Sequence, residues 1–122
     1  MTGDEAPRPL SDVERSVIER LLSVPFPGRD ELRAQLPFVT VRRRCGCGCV
    51  TVDLAVDRAA VPASVESSTP VSADISEGEF YAGIVLIVDG EGYLSCLEAY
   101  AIGDEPVRQF PPVEQINARP QW

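Results

Sequence analysis

Phe80-Tyr81-Ala82-Gly83-Ile84-Val85-Leu86-Ile87-Val88 runs into Asp89-Gly90-Glu91-Gly92 and then into Tyr93-Leu94-Ser95-Cys96-Leu97-Glu98-Ala99-Tyr100-Ala101-Ile102. The first nine residues are apolar at odd and even positions alike, the pattern of a central strand covered on both faces. Asp-Gly supplies the positive φ that tight hairpin turns require. The third segment is then the returning strand. A hairpin of this length commits the chain to antiparallel pairing, and the remaining segments are read around it.

Toward the N-terminus, the stretch from Cys47 to Val56 alternates. Val50, Val52, Leu54 and Val56 fall on one face, and Cys47, Cys49, Thr51 and Asp53 on the other. Val39 and Val41 alternate with Thr40 and Arg42 ahead of the run Arg42-Arg43-Arg44. Residues 57–70 read as a loop or weak edge strand, and Pro70 to Ile75 as a short strand.

Ahead of the strands stand two helices. Ser11 with Glu14 three residues on is a capping-box pair. Val13, Val17, Ile18, Leu21 and Leu22 then recur at helical spacing, and Pro25 ends the helix near Val24. A second helix is expected from Arg29 to Leu36, with Leu32 and Leu36 on one face and Pro37 closing it. Residues 1–10 read as a flexible arm, which leaves 11–122 as a single domain. The segment from Gly103 to Trp122 contains Phe110-Pro111-Pro112 and reads as an extended tail without regular structure, anchored by Phe110 and Trp122. The expected fold is α+β in two layers, with both helices packed on one face of a mostly antiparallel sheet.

Charge narrows the partners. Eleven basic and 19 acidic side chains give a net charge of −8, all the basic residues are arginine, and there is no histidine. A phosphate backbone demands a basic face, so nucleic acid is not an expected partner. An acidic surface suits solubility, and it steers a basic protein partner. No stretch approaches the ~20 apolar residues that span a bilayer. The acidic start Met1-Thr2-Gly3-Asp4-Glu5 lacks the pattern of a secretory signal, so the expected setting is the cytoplasm. Without histidine, neither a Ser-His-Asp nor a Cys-His centre can be built from this chain alone. The reading therefore leans away from an enzyme, and no cofactor is expected.

The segment Cys45-Gly46-Cys47-Gly48-Cys49, with Cys96 in the hairpin's second strand, is where metal or thiol chemistry would reside. Four thiolates from Cys45, Cys47, Cys49 and Cys96 suit tetrahedral zinc. On an extended strand, however, Cys45 and Cys49 would lie ~13 Å apart. Two thiolates on one zinc stand only ~4 Å apart. A shared ion would need the chain to curl at Gly46 and Gly48. The arginines just upstream would favour a reactive thiolate. The simplest alternative is that the cysteines are small packing residues. Asp53 and Glu98 are the next candidates. Glu98 is expected to share a face with Leu94, Cys96 and Tyr100. If Cys96 lay beside Cys49, the two carboxylates and Thr51 would share one surface, as an acid–base pair or as ordinary solvated groups.

The segments Cys45-Gly46-Cys47-Gly48-Cys49-Val50-Thr51-Val52-Asp53-Leu54, Gly92-Tyr93-Leu94-Ser95-Cys96-Leu97-Glu98 and Phe110-Pro111-Pro112 resemble those of a group of small bacterial proteins of unknown function. Leu10-Ser11 and Phe26-Pro27-Gly28 fit the same group. The resemblance implies no catalytic residues. In size, acidity and layout the chain is similar to immunity proteins of bacterial toxin systems. The expected function is therefore a non-enzymatic, immunity- or adaptor-like domain that binds a basic protein. A second copy of the chain is a further candidate partner. The alternative is a thiolate metal-binding or redox protein centred on Cys45–Cys49.

Overall fold

Ser11 and Glu14 close the expected capping box. The Ser11 hydroxyl accepts from the Glu14 backbone N–H at 3.1 Å, and the Glu14 carboxylate accepts from the Ser11 N–H at 2.9 Å. In the computed structural model, which describes residues 7–44, 50–77, 80–102, 107 and 109–120, this box starts helix α1 (Asp12–Leu21). Val17, Ile18, Leu21 and Leu22 are fully buried, as the spacing predicts. Val13 is the exception, at 55% exposure one turn earlier. Helix α2 (Arg29–Gln35) follows Gly28, whose φ of 90° carries the chain into it. It buries Leu32, and Leu36 just past its end is also buried.

Among the described residues, seven strands make one sheet: β1 (Arg8–Pro9), β2 (Val39–Arg44), β3 (Val52–Val56), β4 (Val71–Glu77), β5 (Phe80–Val88), β6 (Leu94–Ile102) and β7 (Asn117–Pro120). Their order is β1-β2-β3-β6-β5-β4-β7, and every neighbouring pair is antiparallel. The fold is thus α+β, an antiparallel sheet with two short helices. Buried side chains of both helices and of one sheet face, among them Ile18, Leu32, Leu54, Ile84 and Leu97, belong to a single apolar cluster.

Three expectations change. Part of the supposed N-terminal arm is anchored, because Arg8 and Pro9 pair with β2 and Leu10 is buried. The C-terminal tail contains regular structure. Val113–Gln115 form a 3₁₀ turn, Ile116 is fully buried, and Asn117–Pro120 pair with β4 as an edge strand. Proline is compatible with an edge, where one side of the strand needs no donor. Trp122 lies outside the described residues. The third change concerns β5, which is interior to the sheet but buries only one face completely. Ala82, Ile84, Leu86 and Val88 are at most 1% exposed, whereas Val85 and Ile87 are half-buried.

The hairpin between β5 and β6 is irregular. Ile87 pairs with Cys96 and Val88 with Leu94, so Ser95 is an extra residue in β6. That bulge places Leu94 on the core face, 1% exposed, and moves Cys96, Glu98 and Tyr100 to the opposite one. Leu94 and Glu98 therefore do not share a face. Asp89 shapes the turn, its carboxylate accepting from the N–H groups of Glu91 and Tyr93 at 2.9 and 3.0 Å. Arg58 stacks 3.9 Å from the Tyr93 ring and pairs with Asp89 and Glu91, tying the loop after β3 to the turn.

Glu14 and Asp89 also make stability depend on acid. Burial disfavours the ionised Glu14 carboxyl, but hydrogen bonds from Arg8 and Ser11 outweigh it and hold the group below the ordinary glutamate range. Asp89 is lowered likewise, as burial is outweighed by the Tyr93 and Glu91 N–H groups and by Arg58. Stability from a lowered carboxylate is complete above its unfolded pKa, about 4. It is lost as pH falls through the lower folded value. In urea titrations from neutral to acid pH, Glu14→Gln should be less stable than wild type at neutrality, and the gap should close below about pH 4. A gap that stays constant with pH would contradict this role.

Candidate functional site on the open sheet face

Pairing register decides what the non-core face of the sheet displays. Arg43 pairs with Asp53, Asp53 with Cys96, and Cys96 with Ile87, so these four residues form a row across four strands. The Arg43 guanidinium meets the Asp53 carboxylate at 3.3 Å. A second row carries Glu98, Val85, Ser72 and Arg119. A third carries Tyr100, Gly83, Asp74 and Asn117, with Arg119 reaching across to pair with Asp74.

Glu98 and Tyr100 project from β6, the middle strand of the seven. Tyr100 is 42% exposed. Its ring lies over Gly83, where an added Cβ would stand 2.3 Å from the ring's Cζ and hydroxyl. A glycine there gives the aromatic ring a flat seat on the backbone. Glu98 is exposed and has no ion-pair partner among the described residues. Half-buried Val85, Ile87 and Cys96 lie beside this pair. Among the described residues, the surface is therefore an aromatic ring beside a carboxylate with no ion-pair partner, on a partly apolar floor flanked by the ion pairs Arg43–Asp53 and Arg119–Asp74.

The residues singled out from sequence divide into groups. Cys45, Cys47 and Cys49 lie outside the described residues. Cys96 faces Asp53 across the β3–β6 pair. Among the described residues, no three His, Cys, Asp or Glu side chains are grouped to hold a metal ion. Asp53 and Glu98 do reach one face, but Asp53 is engaged by Arg43. Thr51 does not join them. Its hydroxyl accepts from the Ala99 N–H at 2.9 Å and donates to the Ala99 carbonyl at 3.2 Å, continuing the β3–β6 pairing in place of backbone groups. Asp89 and Glu91 are spent on the turn and on Arg58.

Sequence reading missed Val85, Ile87, Asp74 and Arg119 as members of this surface. The first two look like core residues in an unbroken apolar run, and β7 is hidden by Pro120 and the nearby Pro111-Pro112. None of the described helices is long and apolar enough to cross a membrane. The chain matches no protein-family model, no curated protein and no solved structure.

Proposed function

We propose that this chain is a non-enzymatic binding domain whose open sheet face engages a basic protein partner, in the manner of an acidic immunity or adaptor protein of the cytoplasm. In this reading the two helices form a second layer over one sheet face, and the opposite face is the contact surface. The observation that carries it is exposed Tyr100 beside Glu98, which has no ion-pair partner among the described residues, on the central strand. Aromatic residues near the centre of a contact patch dominate binding energies. A carboxylate beside one favours an arginine or lysine from the partner, and the net charge of −8 steers that partner in.

The test compares capture from lysate of the source cells by wild type, Tyr100→Ala and Glu98→Arg. A basic protein retained by wild type should elute as salt rises, and each variant should bind it about ten-fold or more weakly. Equal capture by all three would remove this face from the account. Metal analysis of the same preparation addresses the thiolate alternative. Near-stoichiometric zinc, lost on Cys47→Ser, would replace the binding-domain reading with a metal centre.

A further inference from the structure

The run Arg42-Arg43-Arg44 is not a uniform basic strip. Val41 pairs with Leu54, Arg43 with Asp53 and Arg44 with Val52, so the ladder slips by one residue at Arg42. Without that bulge, strand alternation from Val39 and Val41 would turn Arg43 toward the core side. With it, Arg43 meets Asp53 on the open face, and Arg44 takes a core-side position opposite Val52, which is 2% exposed. Bulges recur beside functional sites because they re-aim a side chain. Here the re-aimed residue is a cation, Arg44, that lines a cavity.

That cavity, about 260 Å³, lies between the start of α1, the β2–β3 end of the sheet and residues 109–110. Val13, Val50 and Phe110 supply its apolar wall, and Arg44, Arg8 and Glu14 its charges. A second cavity of about 440 Å³ continues along α1 and shares Val13 and Phe110. The wall is held in place, since the Val50 N–H donates to the Val107 carbonyl at 2.9 Å and Val107 is buried. Val13 stands at a position of α1 whose helical spacing predicts burial, yet it is more than half exposed here. Glu14 does not set the sign of the site. Both its oxygens accept from Arg8 at 2.9 Å, and one also accepts from the Ser11 N–H. The Arg44 guanidinium makes no ion pair or hydrogen bond among the described residues.

We infer that this cavity binds an apolar carboxylate, with its charge on Arg44 and its hydrocarbon part against Val13, Val50 and Phe110. Arginine is suited to this role by its planar pair of donors. A positive locus on a chain of net charge −8 is a selective place for an anion, because the rest of the surface repels one. The same chemistry is offered by a small free acid and by a peptide ending in an aliphatic residue. The inference is independent of the sheet-face reading, whose Tyr100 and Glu98 lie on the opposite side of the sheet.

The experiment is a titration followed by two-dimensional amide NMR on the full chain, with isovalerate, its neutral analogue isovaleramide, and acetyl-Ala-Ala-Leu carrying a free C-terminus. Saturable shifts confined to Val13, Ser16, Arg44, Val50, Gln109 and Phe110 are expected for the two carboxylates. Isovaleramide and the Arg44→Gln variant should each lose about ten-fold or more in affinity. Tighter binding of the free acid assigns the site to a small molecule, and tighter binding of the peptide to a chain terminus. Val13→Glu, on an exposed helix position, should weaken binding without unfolding the protein. Equal binding of acid and amide, binding unchanged in Arg44→Gln, or no saturable shift at this cavity would each overturn the inference.

Discussion

Gln35→Leu is expected to lower the unfolding free energy by about 2–4 kcal/mol. The side chain is fully buried on α2, where a polar residue is unusual. Its amide nitrogen donates to the carbonyls of Gly92 at 2.9 Å and Val61 at 3.0 Å, and its oxygen accepts from the Leu94 N–H at 3.0 Å. One carboxamide thus satisfies three backbone groups, the Val61 and Gly92 carbonyls in two loops and the N–H at the first residue of β6. Leucine has the right volume but leaves the Leu94 N–H buried with no acceptor. The Gly92 carbonyl keeps the Ala63 N–H at 2.8 Å and suffers less. Urea unfolding should show a lower midpoint at unchanged slope. A loss under about 1 kcal/mol would mean that water or a backbone shift replaces the amide.

Gly92→Ala should cost a comparable amount, about 2–4 kcal/mol, for a different reason. Gly92 has φ of 93°, a conformation that side chains rarely adopt. An alanine Cβ would also stand 2.4 Å from the Ala63 carbonyl oxygen and 2.9 Å from its nitrogen. Those are backbone atoms, held by the Ala63–Gly92 hydrogen bond, and they cannot swing aside as a side chain could. Gly90→Ala is the internal control. Nothing lies within 4 Å of its added Cβ, and the change should fall within about 0.5 kcal/mol of wild type. Thermal or urea unfolding of the two variants side by side separates them. Equal losses would show that the turn's shape depends on Asp89-Gly90 as a unit and not on the approach of Ala63.

The turn also shows how far local chemistry reaches. Asp-Gly correctly marks a hairpin, but the glycine that needs positive φ is Gly92. The requirement comes from the loop at Ala63, some 30 positions away in the chain. Similarly, spacing locates α1 and its capping box because both depend on neighbours within a turn or two. It places Val13 in the core because spacing records which way a residue points and not whether anything lies opposite.

By itself, the sequence determines the α+β class, the two helices with Ser11 and Glu14 at the first cap, the β5–β6 hairpin, the alternation of β3 and the acidic balance of the chain. These are set by short-range periodicity and by composition. Tertiary structure alone decides the strand order, the anchoring of Arg8 and Pro9, and the recruitment of Asn117–Pro120 as an edge. It also decides the two bulges, at Arg42 and Ser95, that choose which face each side chain takes. A one-residue slip reverses every later side chain in a strand. Whether it occurs depends on the partner strand, which no local window contains. For that reason the run Arg42-Arg43-Arg44 reads as one basic patch in the sequence, whereas in the fold Arg43 and Arg44 serve opposite faces of the sheet.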